Sequence, residues 1–260
     1  MAKKQFKTES KKILDMMINS IYTHREIFLR EIISNSSDAI DKMYIKSLGD
    51  QSAGMSKGDF RIDVKIDPAA RTVTVSDNGI GMTAEEMEKN LGCIAHSGTL
   101  EYKKELAEGS DSEAIGQFGV GFYSAFMVSD SVSVVSKAYG TDKANCWTSS
   151  GSDGYSIKEC DRDGVGTDVV MHIKKEDDGE ELDEFLETER LRELIEKYSD
   201  YIRWPIHMEV TENDWVETGA KNEDGSPKKE LVSKKVDKVI NSMVPIWRKT
   251  KKQAPDDKCI

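Results

Sequence analysis

The sequence predicts an α+β fold, a two-layer α/β sandwich in which a mostly antiparallel sheet carries helices on one face. Alternating apolar residues indicate several short strands, two helical patterns precede them, and another helical pattern follows them. The chain has 260 residues, of which 37% are hydrophobic and 33% charged. A chain of this length can bury a substantial core without disulfides or metals.

Two amphipathic helices are predicted at the N-terminal end of the chain. Apolar residues recur at helical spacing over residues 9–22 and again over 25–46. A loop rich in Gly and Ser is expected from 49 to 58. These two helices would supply part of the layer that covers the sheet.

A β-hairpin is predicted after this loop, because alternating Ile and Val residues flank a Pro68-Ala69-Ala70 turn. Asp77 keeps the parity of Val73 and Val75, so its side chain should point to the same inward face. A carboxylate in a core needs a hydrogen-bonding partner, because burying it without one is costly.

The remaining elements follow from the same patterns. In chain order they are helical pieces within 83–107, a helix opening at 122–128, strands at 131–138, 144–149, 155–159 and 167–173, a helix through Leu191, Leu194, Ile195 and Tyr198 after an acidic run at 176–189, and a strand from 205 to 216.

The predicted domain of residues 1–216 is followed by a change in composition. Residues 217–235 are polar and contain Gly and Pro, which is typical of a charged linker. Apolar residues return within 236–260, a segment too short to be a domain, and we expect it to be the start of another one.

Composition excludes several classes of protein. The net charge of −11 argues against a broad nucleic-acid-binding surface, which needs a basic patch, although the Lys/Arg-rich segment 234–252 leaves a local basic patch open. No apolar run approaches the ~18 residues of a membrane span, and the N-terminus lacks the apolar stretch of a secretory signal. The four cysteines form no CxxC pattern, so reduced thiols and a cytoplasmic location are expected.

Four polar residues form a stripe along the second predicted helix. Glu31, Asn35, Asp38 and Lys42 lie at positions i, i+4, i+7 and i+11. A solvated helix face would give the same pattern. In a nucleotide site, Asn35 could complete a Mg²⁺ shell of phosphate oxygens and water, and Glu31 could orient and deprotonate an attacking water.

Two glycine-containing segments complete a possible nucleotide pocket. Asp77 is suited to accept a hydrogen bond from an adenine amino group, and glycines at 79 and 81 let the backbone turn beside a base, although a simple turn after a strand remains an alternative. Glycines at 116, 119 and 121 precede a helical pattern and could bind phosphate, although a flexible loop would look alike. The segment 92–121 is a candidate lid, with an ordinary surface excursion as the alternative.

Together these segments resemble the GHKL (Bergerat-fold) ATPases and, within them, the ninety-kilodalton heat-shock chaperone family. The resemblance covers about residues 5–216 and the segment ending Pro245-Ile246-Trp247. Its motifs are Ile27 to Ala39, Asp77 to Met82, Asn90-Leu91-Gly92, Ser97-Gly98-Thr99 and Gly116 to Ser124.

The resemblance implies ATP or ADP and Mg²⁺ as cofactors, with a role for each matching residue. Glu31 would be the general base, Asn35 the Mg²⁺-linked ligand and Asp77 the direct adenine ligand. The other implied nucleotide-binding residues are Asp38, Lys42, Gly81, Met82, Asn90, His96, Ser97, Gly98, Gly119, Val120, Gly121, Phe122 and Thr167. His96 stands where the family commonly has Lys. A neutral imidazole is a weaker phosphate partner than an ammonium and its charge depends on pH, so this departure puts one phosphate or ribose contact in doubt, and an exposed polar residue is the alternative.

The family is that of ATP-driven chaperones, so the resemblance implies client proteins bound mainly outside this region and inhibitors directed at the ATP site. The short linker is similar to that of the bacterial cytosolic form. In the family a middle-domain Arg and a C-terminal dimerisation domain lie beyond the residues present here. We therefore expect a monomeric fragment that binds ATP and ADP and hydrolyses ATP very slowly.

Three other functions stay open at this point. Sensor histidine kinase domains and topoisomerase or mismatch-repair ATPases share the fold. A kinase would need an acceptor His on a helical hairpin, and only His24 of the four histidines lies near an N-terminal helix. A nucleotide-gated binding module without turnover is the third alternative.

Overall fold

The computed structural model describes residues 24–50, 54–92, 121–151, 154–175, 182–221 and 227–244. The helices are α1 (Ile27–Gly49), α2 (Ala84–Leu91) and α3 (Thr188–Tyr198), and short 3₁₀ helices cover Lys57–Asp59, Gly121–Met127 and Asp183–Leu186. The strands are β1 (Ile62–Asp67), β2 (Thr72–Asp77), β3 (Ser129–Lys137), β4 (Ala144–Ser149), β5 (Tyr155–Cys160), β6 (Gly166–Ile173), β7 (Ile206–Lys221) and β8 (Pro227–Val239).

Within these described residues the eight strands form one sheet in the order β5-β4-β3-β6-β2-β1-β7-β8. The pairings are antiparallel apart from that of β1 with β7, which is parallel. The mostly antiparallel sheet predicted from the sequence is confirmed. Among the described helices, none is long and apolar enough to cross a membrane.

Helix α1 supplies the apolar layer over the centre of the sheet. Phe28, Ile33 and Met43 on its inner stripe are fully buried, as are Val73 and Val75 on the facing strand β2. The helix packs on β1, β2 and β6, and α3 packs against it in turn. The predicted helix at 25–46 is thus confirmed with slightly shifted ends, whereas the one at 9–22 lies outside the described residues.

Helix α2 begins at a capping box. The Thr83 hydroxyl accepts from the Glu86 backbone N–H, and the Glu86 carboxylate accepts from the Thr83 N–H. Reciprocal capping of this kind satisfies two backbone donors that the first helical turn cannot pair. The helix confirms the first of the helical pieces predicted over 83–107, and the rest of that prediction lies outside the described residues.

The helix predicted at 122–128 is a 3₁₀ helix, Gly121–Met127. Its side chains are buried rather than amphipathic, and packing fixes it in place. The Tyr123 hydroxyl donates to the Leu91 carbonyl over 2.9 Å, and the Phe122 ring meets Trp147 edge-on with centroids 5.5 Å apart. The start of this segment is therefore held against the end of α2.

Strands β7 and β8 include residues 217–221 and 227–235, which the sequence analysis assigned to a charged linker. Strand β7 pairs with β1 only over residues 206–208, and the remainder of its length pairs with β8 as a two-stranded ribbon. Exposed ion pairs join its strands, such as Lys235 with Glu209 at 2.6 Å and Lys238 with Glu212 at 3.1 Å. The side chains of residues 211–214 and 231–235 in this ribbon are exposed to solvent. A solvent-exposed ribbon has the polar composition of a linker, so composition did not distinguish the two.

The segment expected to start another domain continues in the same sheet. Residues 236–239 belong to β8, and Asn241, which is buried, accepts from the Ile206 N–H over 2.8 Å. Its amide group also donates to the carbonyls of Ile202 and Trp204. The division into domains stays a prediction, and these contacts join Asn241 to the first residue of β7 and to the segment before it.

The turn after β2 lies directly against α1. The Ile80 N–H donates to the Ala39 carbonyl over 3.0 Å, and a Cβ added at Gly79 would come within 2.5 Å of the Ala39 carbonyl carbon. Backbone cannot move aside as a flexible side chain can. The glycine at 79 is therefore required by the approach of helix to turn.

We predict that Gly79→Ala lowers the free energy of unfolding by about 1–3 kcal/mol, because the new methyl group overpacks the α1 contact. Urea denaturation measures the change. Gly49→Ala is the matched control, since a Cβ at Gly49 meets nothing within 4 Å. Equal stability of the two variants would contradict the close approach at Gly79.

Candidate functional site

Asp77 occupies the last position of β2, in the inward register expected from the sequence. The residue is 5% exposed, and its carboxylate accepts from the Gly79 N–H over 2.9 Å and from the Ser36 side chain on α1. Burial raises the pKa of Asp77 from 3.8 to about 7, against the opposing effects of these two hydrogen bonds and the Arg162 charge. A carboxyl held in this way is a polar group within the apolar layer between sheet and helix.

A row of polar side chains crosses the sheet at the level of Asp77. Thr167 on β6 is its register partner, and Ser136 on β3 is the register partner of Thr167. The Ser136 hydroxyl accepts from the Met82 N–H over 2.8 Å and donates to the Gly166 carbonyl over 3.0 Å. Its contact with Thr167 Oγ1, at 2.8 Å, must then be donated by threonine.

This hydrogen-bonding order leaves the Thr167 oxygen with lone pairs but no proton to give. Both Thr167 and Ser136 are buried, at 7% and 0% exposure. The row therefore presents two acceptors, the Thr167 oxygen and the Asp77 carboxylate, on adjacent strands. A ligand group that carries N–H donors is the natural complement of such a pair.

The polar stripe on α1 is not uniformly solvated. Asn35 is exposed, the Glu31 side chain is 22% exposed, and Asp38 is buried. Burial lowers the pKa of the Lys42 ammonium, although the charges of Asp38 and Glu86 oppose this. The stripe thus includes a buried carboxyl group and a partly buried ammonium group, which a simple solvated helix face does not.

The Glu31 carboxylate lies at the beginning of the 3₁₀ helix. A Cβ added at Gly121 would come within 2.5 Å of Glu31 Oε2, so glycine leaves the room that the carboxylate occupies. The other oxygen, Oε1, pairs with the Arg30 guanidinium at 2.5 Å. The structure therefore brings the predicted base on α1 next to the second glycine-rich segment.

The turn from β2 to α2 completes the described part of the site. Gly81 has a φ of 68°, and a Cβ there would come within 2.0 Å of the Lys137 carbonyl oxygen, so both conformation and space require glycine. Beyond it, the Asn90 amide contacts the Met82 sulfur at 3.9 Å. Phe122 is 9% exposed and packs in the core against Trp147.

The remaining predicted site residues lie outside the described part of the chain. They are His96, Ser97, Gly98, Gly119 and Val120, together with most of the candidate lid at 92–121.

Sequence reasoning missed Ser136 and Ser36. Ser136 shares the inward parity of Val132 and Val134, the same signal that singled out Asp77, and could have been found by applying that rule to β3. Ser36 had no such signal, because its contact with Asp77 joins a helix to a strand distant in sequence. Each of the two contacts part of the polar network around Asp77.

No cluster of three or more His, Cys, Asp or Glu side chains that could hold a metal ion occurs among the described residues. An amide oxygen such as that of Asn35 is a ligand type that Mg²⁺ accepts, but one protein ligand is too few without phosphate oxygens and water. The donor set thus fits a magnesium ion that a nucleotide would share, not a permanent metal site.

Comparison with known families bears on the class of protein. Residues 22–178 match the family described as histidine kinase-, DNA gyrase B- and HSP90-like ATPases. This match spans α1, the hairpin β1–β2 and the strands through β6. The chain therefore belongs to this ATPase family.

Individual relatives of high sequence identity are proteins named chaperone protein HtpG. The chain is 52% identical over 257 residues to the chaperone protein HtpG of Clostridium perfringens and 53% identical over 257 residues to that of Bacillus subtilis, which in both cases is 99% of this chain and 40% of the relative. It is 52% identical over 253 residues to that of Clostridium botulinum, 97% of this chain and 39% of the relative. The chain thus spans about 40% of the length of the curated relatives that it matches.

We predict that Asp77 makes stability fall as pH rises. Its folded-state pKa of about 7 lies above the ordinary 3.8, so the folded chain holds a proton that the unfolded chain has lost in this window. Its contribution is complete below 3.8 and is lost as pH rises through about 7. Urea denaturation across this range should show a flatter pH dependence for Asp77→Asn than for the wild type.

Asp183→Asn provides a control of opposite sign. Its hydrogen bond from Arg71 lowers the pKa of Asp183, so that carboxylate contributes stability at higher pH that is lost on acidification. A pH dependence unchanged by Asp77→Asn would contradict the raised pKa.

Proposed function

We propose that this chain is the ATP-binding and ATP-hydrolysing part of a molecular chaperone. The observation that carries the proposal is the buried Asp77 carboxylate at the end of β2, beside the acceptor of Thr167. Membership of the ATPase family and identity of about half to proteins named chaperone protein HtpG support it.

Adenine recognition would depend on Asp77. The ionised carboxylate accepts a hydrogen bond from the exocyclic amino group of the base. That hydrogen bond favours the ionised form of Asp77, whereas burial favours the protonated form. Guanine and hypoxanthine carry a carbonyl oxygen at that position, so at a pH above the pKa of Asp77, where its carboxylate is ionised, they would place an acceptor against an acceptor. The buried carboxylate therefore selects adenine.

Hydrolysis would depend on the helix that faces this site. Glu31 orients and deprotonates the attacking water, and the room left by Gly121 keeps its carboxylate at the start of the phosphate-binding segment. The Arg30 ion pair already engages one carboxylate oxygen, so water competes for it or uses the other. Mg²⁺, held by Asn35 and the phosphates, would supply charge stabilisation.

The remaining assignments follow the same proposal. Asp38, Lys42, Met82, Asn90 and Phe122 line or support the pocket. Residues His96 to Gly98 and Gly119 to Phe122 contact ribose or phosphate, and the segment 92–121 closes over the nucleotide. ATP hydrolysis by residues 1–260 alone is, in this proposal, very slow.

For the whole protein we propose an ATP-driven chaperone cycle in the cytoplasm. Client proteins bind mainly outside this region, the full chain forms a homodimer, and inhibitors of the family's ATP site bind here. No nucleic acid or membrane is part of the cycle. The fragment itself is monomeric.

A sensor kinase is a weaker alternative. His172 and His207 lie on strands β6 and β7 and pair with Asp130 and Asp237 at 2.8 and 3.0 Å. Neither occupies the helical hairpin that carries a kinase's phospho-acceptor, so among the described residues these two histidines do not support that function.

Binding of ADP tests the adenine site. Isothermal titration of the chain with ADP and Mg²⁺ should show one-to-one binding, weakened about a hundredfold or more in Asp77→Asn because a charged hydrogen bond to the base is lost. Asp67→Asn is the matched control, since Asp67 also ends a strand and accepts a turn N–H, from Ala70 over 3.0 Å. Unchanged affinity in Asp77→Asn would remove the adenine assignment.

Turnover tests the role of Glu31. In a longer chain that includes the following domain, Glu31→Ala should keep ADP affinity and lower the rate of ATP hydrolysis about a hundredfold, as removal of a general base does. Glu193→Ala, an exposed glutamate on α3, should leave the rate unchanged. A Glu31→Ala enzyme with normal turnover would place the base elsewhere.

A further inference from the structure

Arg162, in the loop between β5 and β6, is 11% exposed and is surrounded by acceptors. Its Nε and Nη2 atoms donate to the two carboxylate oxygens of Asp168 over 3.0 and 2.9 Å. Nη2 also donates to the Asp77 carbonyl over 3.1 Å, and Nη1 donates to the Gly164 carbonyl over 2.9 Å. One guanidinium thus joins the end of β2, its own loop and β6.

These contacts lie on the face of the sheet opposite the proposed nucleotide site. Asp168 follows Thr167 in the strand, so its side chain points to the other face. Gly166 lies close beneath the same carbonyl, since a Cβ there would come within 2.1 Å of the Asp77 oxygen. Arg162 therefore links β2 and β6, the two strands that carry the acceptors, by contacts outside the proposed nucleotide site.

We infer that Arg162 is a positioning residue which, from behind the sheet, holds the Asp77 carboxylate and Thr167 in the geometry that selects adenine over other purines. The inference rests on the proposed function. The inference goes beyond the proposed function because it assigns a part in base specificity to a residue outside the proposed nucleotide contacts.

The physical reason lies in where Asp77 stands. It is the last residue of β2, paired with Ile62 of β1 and Thr167 of β6. The chain leaves both ladders directly after it, through Asn78 and Gly79, so no paired residue of β2 follows it. A planar guanidinium with fixed donors restrains the peptide more tightly than a single flexible donor does. Loss of that restraint would let the carboxylate move, and a hydrogen bond depends steeply on its geometry.

The test compares ADP with inosine diphosphate, in which a carbonyl oxygen replaces the amino group that would donate a hydrogen bond to Asp77. ADP affinity is measured by isothermal titration, and inosine diphosphate affinity by displacement of ADP. In Arg162→Ala we expect ADP affinity to fall about tenfold and inosine diphosphate affinity to change less than about twofold. The ratio between the two affinities therefore falls by nearly the same factor as ADP affinity.

Arg71→Ala is the matched control. Arg71 also bonds two backbone carbonyls of the β6 end, those of Ile173 and Lys174 over 3.2 and 2.7 Å, and pairs with the carboxylate of Asp183. It makes these contacts at the opposite end of β6 from Thr167. It should lower stability without changing the ratio, whereas an equal fall of both affinities in Arg162→Ala would show a merely structural role and overturn the inference.

Two conservative variants keep the test decisive if Arg162→Ala fails to fold. Arg162→Lys keeps the charge but cannot bond Asp168 and the Asp77 carbonyl as a fork, so the affinity ratio should fall. Asp168→Asn leaves the Arg162 hydrogen bond to the Asp77 carbonyl in place, so it should lower the ratio of ADP to inosine diphosphate affinity less than Arg162→Lys does. A wild-type ratio in both variants would overturn the inference.

Failure of this inference is distinguishable from failure of the proposed function. If the wild type binds ADP and Asp77→Asn does not, while Arg162→Ala and Arg162→Lys keep the wild-type ratio, only the role of Arg162 is lost. If the folded wild type binds no ADP, the proposed function is lost, and the inference with it.

Discussion

The buried carboxylate of Asp77 is the constraint on which the rest of the site depends. A carboxyl group at 5% exposure needs hydrogen bonds, and three different elements supply its surroundings: the turn through Gly79, Ser36 on α1 and the Arg162 charge behind the sheet. Burial nevertheless dominates and raises its pKa to about 7. The folded protein therefore keeps a group whose charge a suitable ligand can restore.

Close backbone approach is the means by which the site is built around that group. Glycine at 79 lets α1 meet the turn, glycine at 81 lets the turn meet the end of β3, and glycine at 166 lets β6 meet the Asp77 carbonyl. In each case a Cβ would meet backbone, which cannot rotate away. The segments that carry these polar groups are thus also the segments whose backbones pack most closely.

Much of this was predictable because it is local. Periodicity located α1, the β1–β2 hairpin and strands β3 to β6, and parity along β2 was enough to predict that Asp77 points inward. The strands within residues 217–235 could not be predicted in this way. Composition reflects how polar a segment is, and a solvent-exposed ribbon such as β7–β8 is as polar as a linker. Only strand pairing distinguishes the two.

The sequence by itself determined the class of fold, the order of the elements and the motif residues Glu31, Asn35 and Asp77, because spacing and residue type are properties of short segments. Tertiary structure alone decided that Ser136 and Thr167 form one hydrogen-bonded row with the Met82 backbone, and that Arg162 fastens the end of β2 to β6. Those contacts join residues far apart along the chain, and strand register, which no single segment encodes, brings them together.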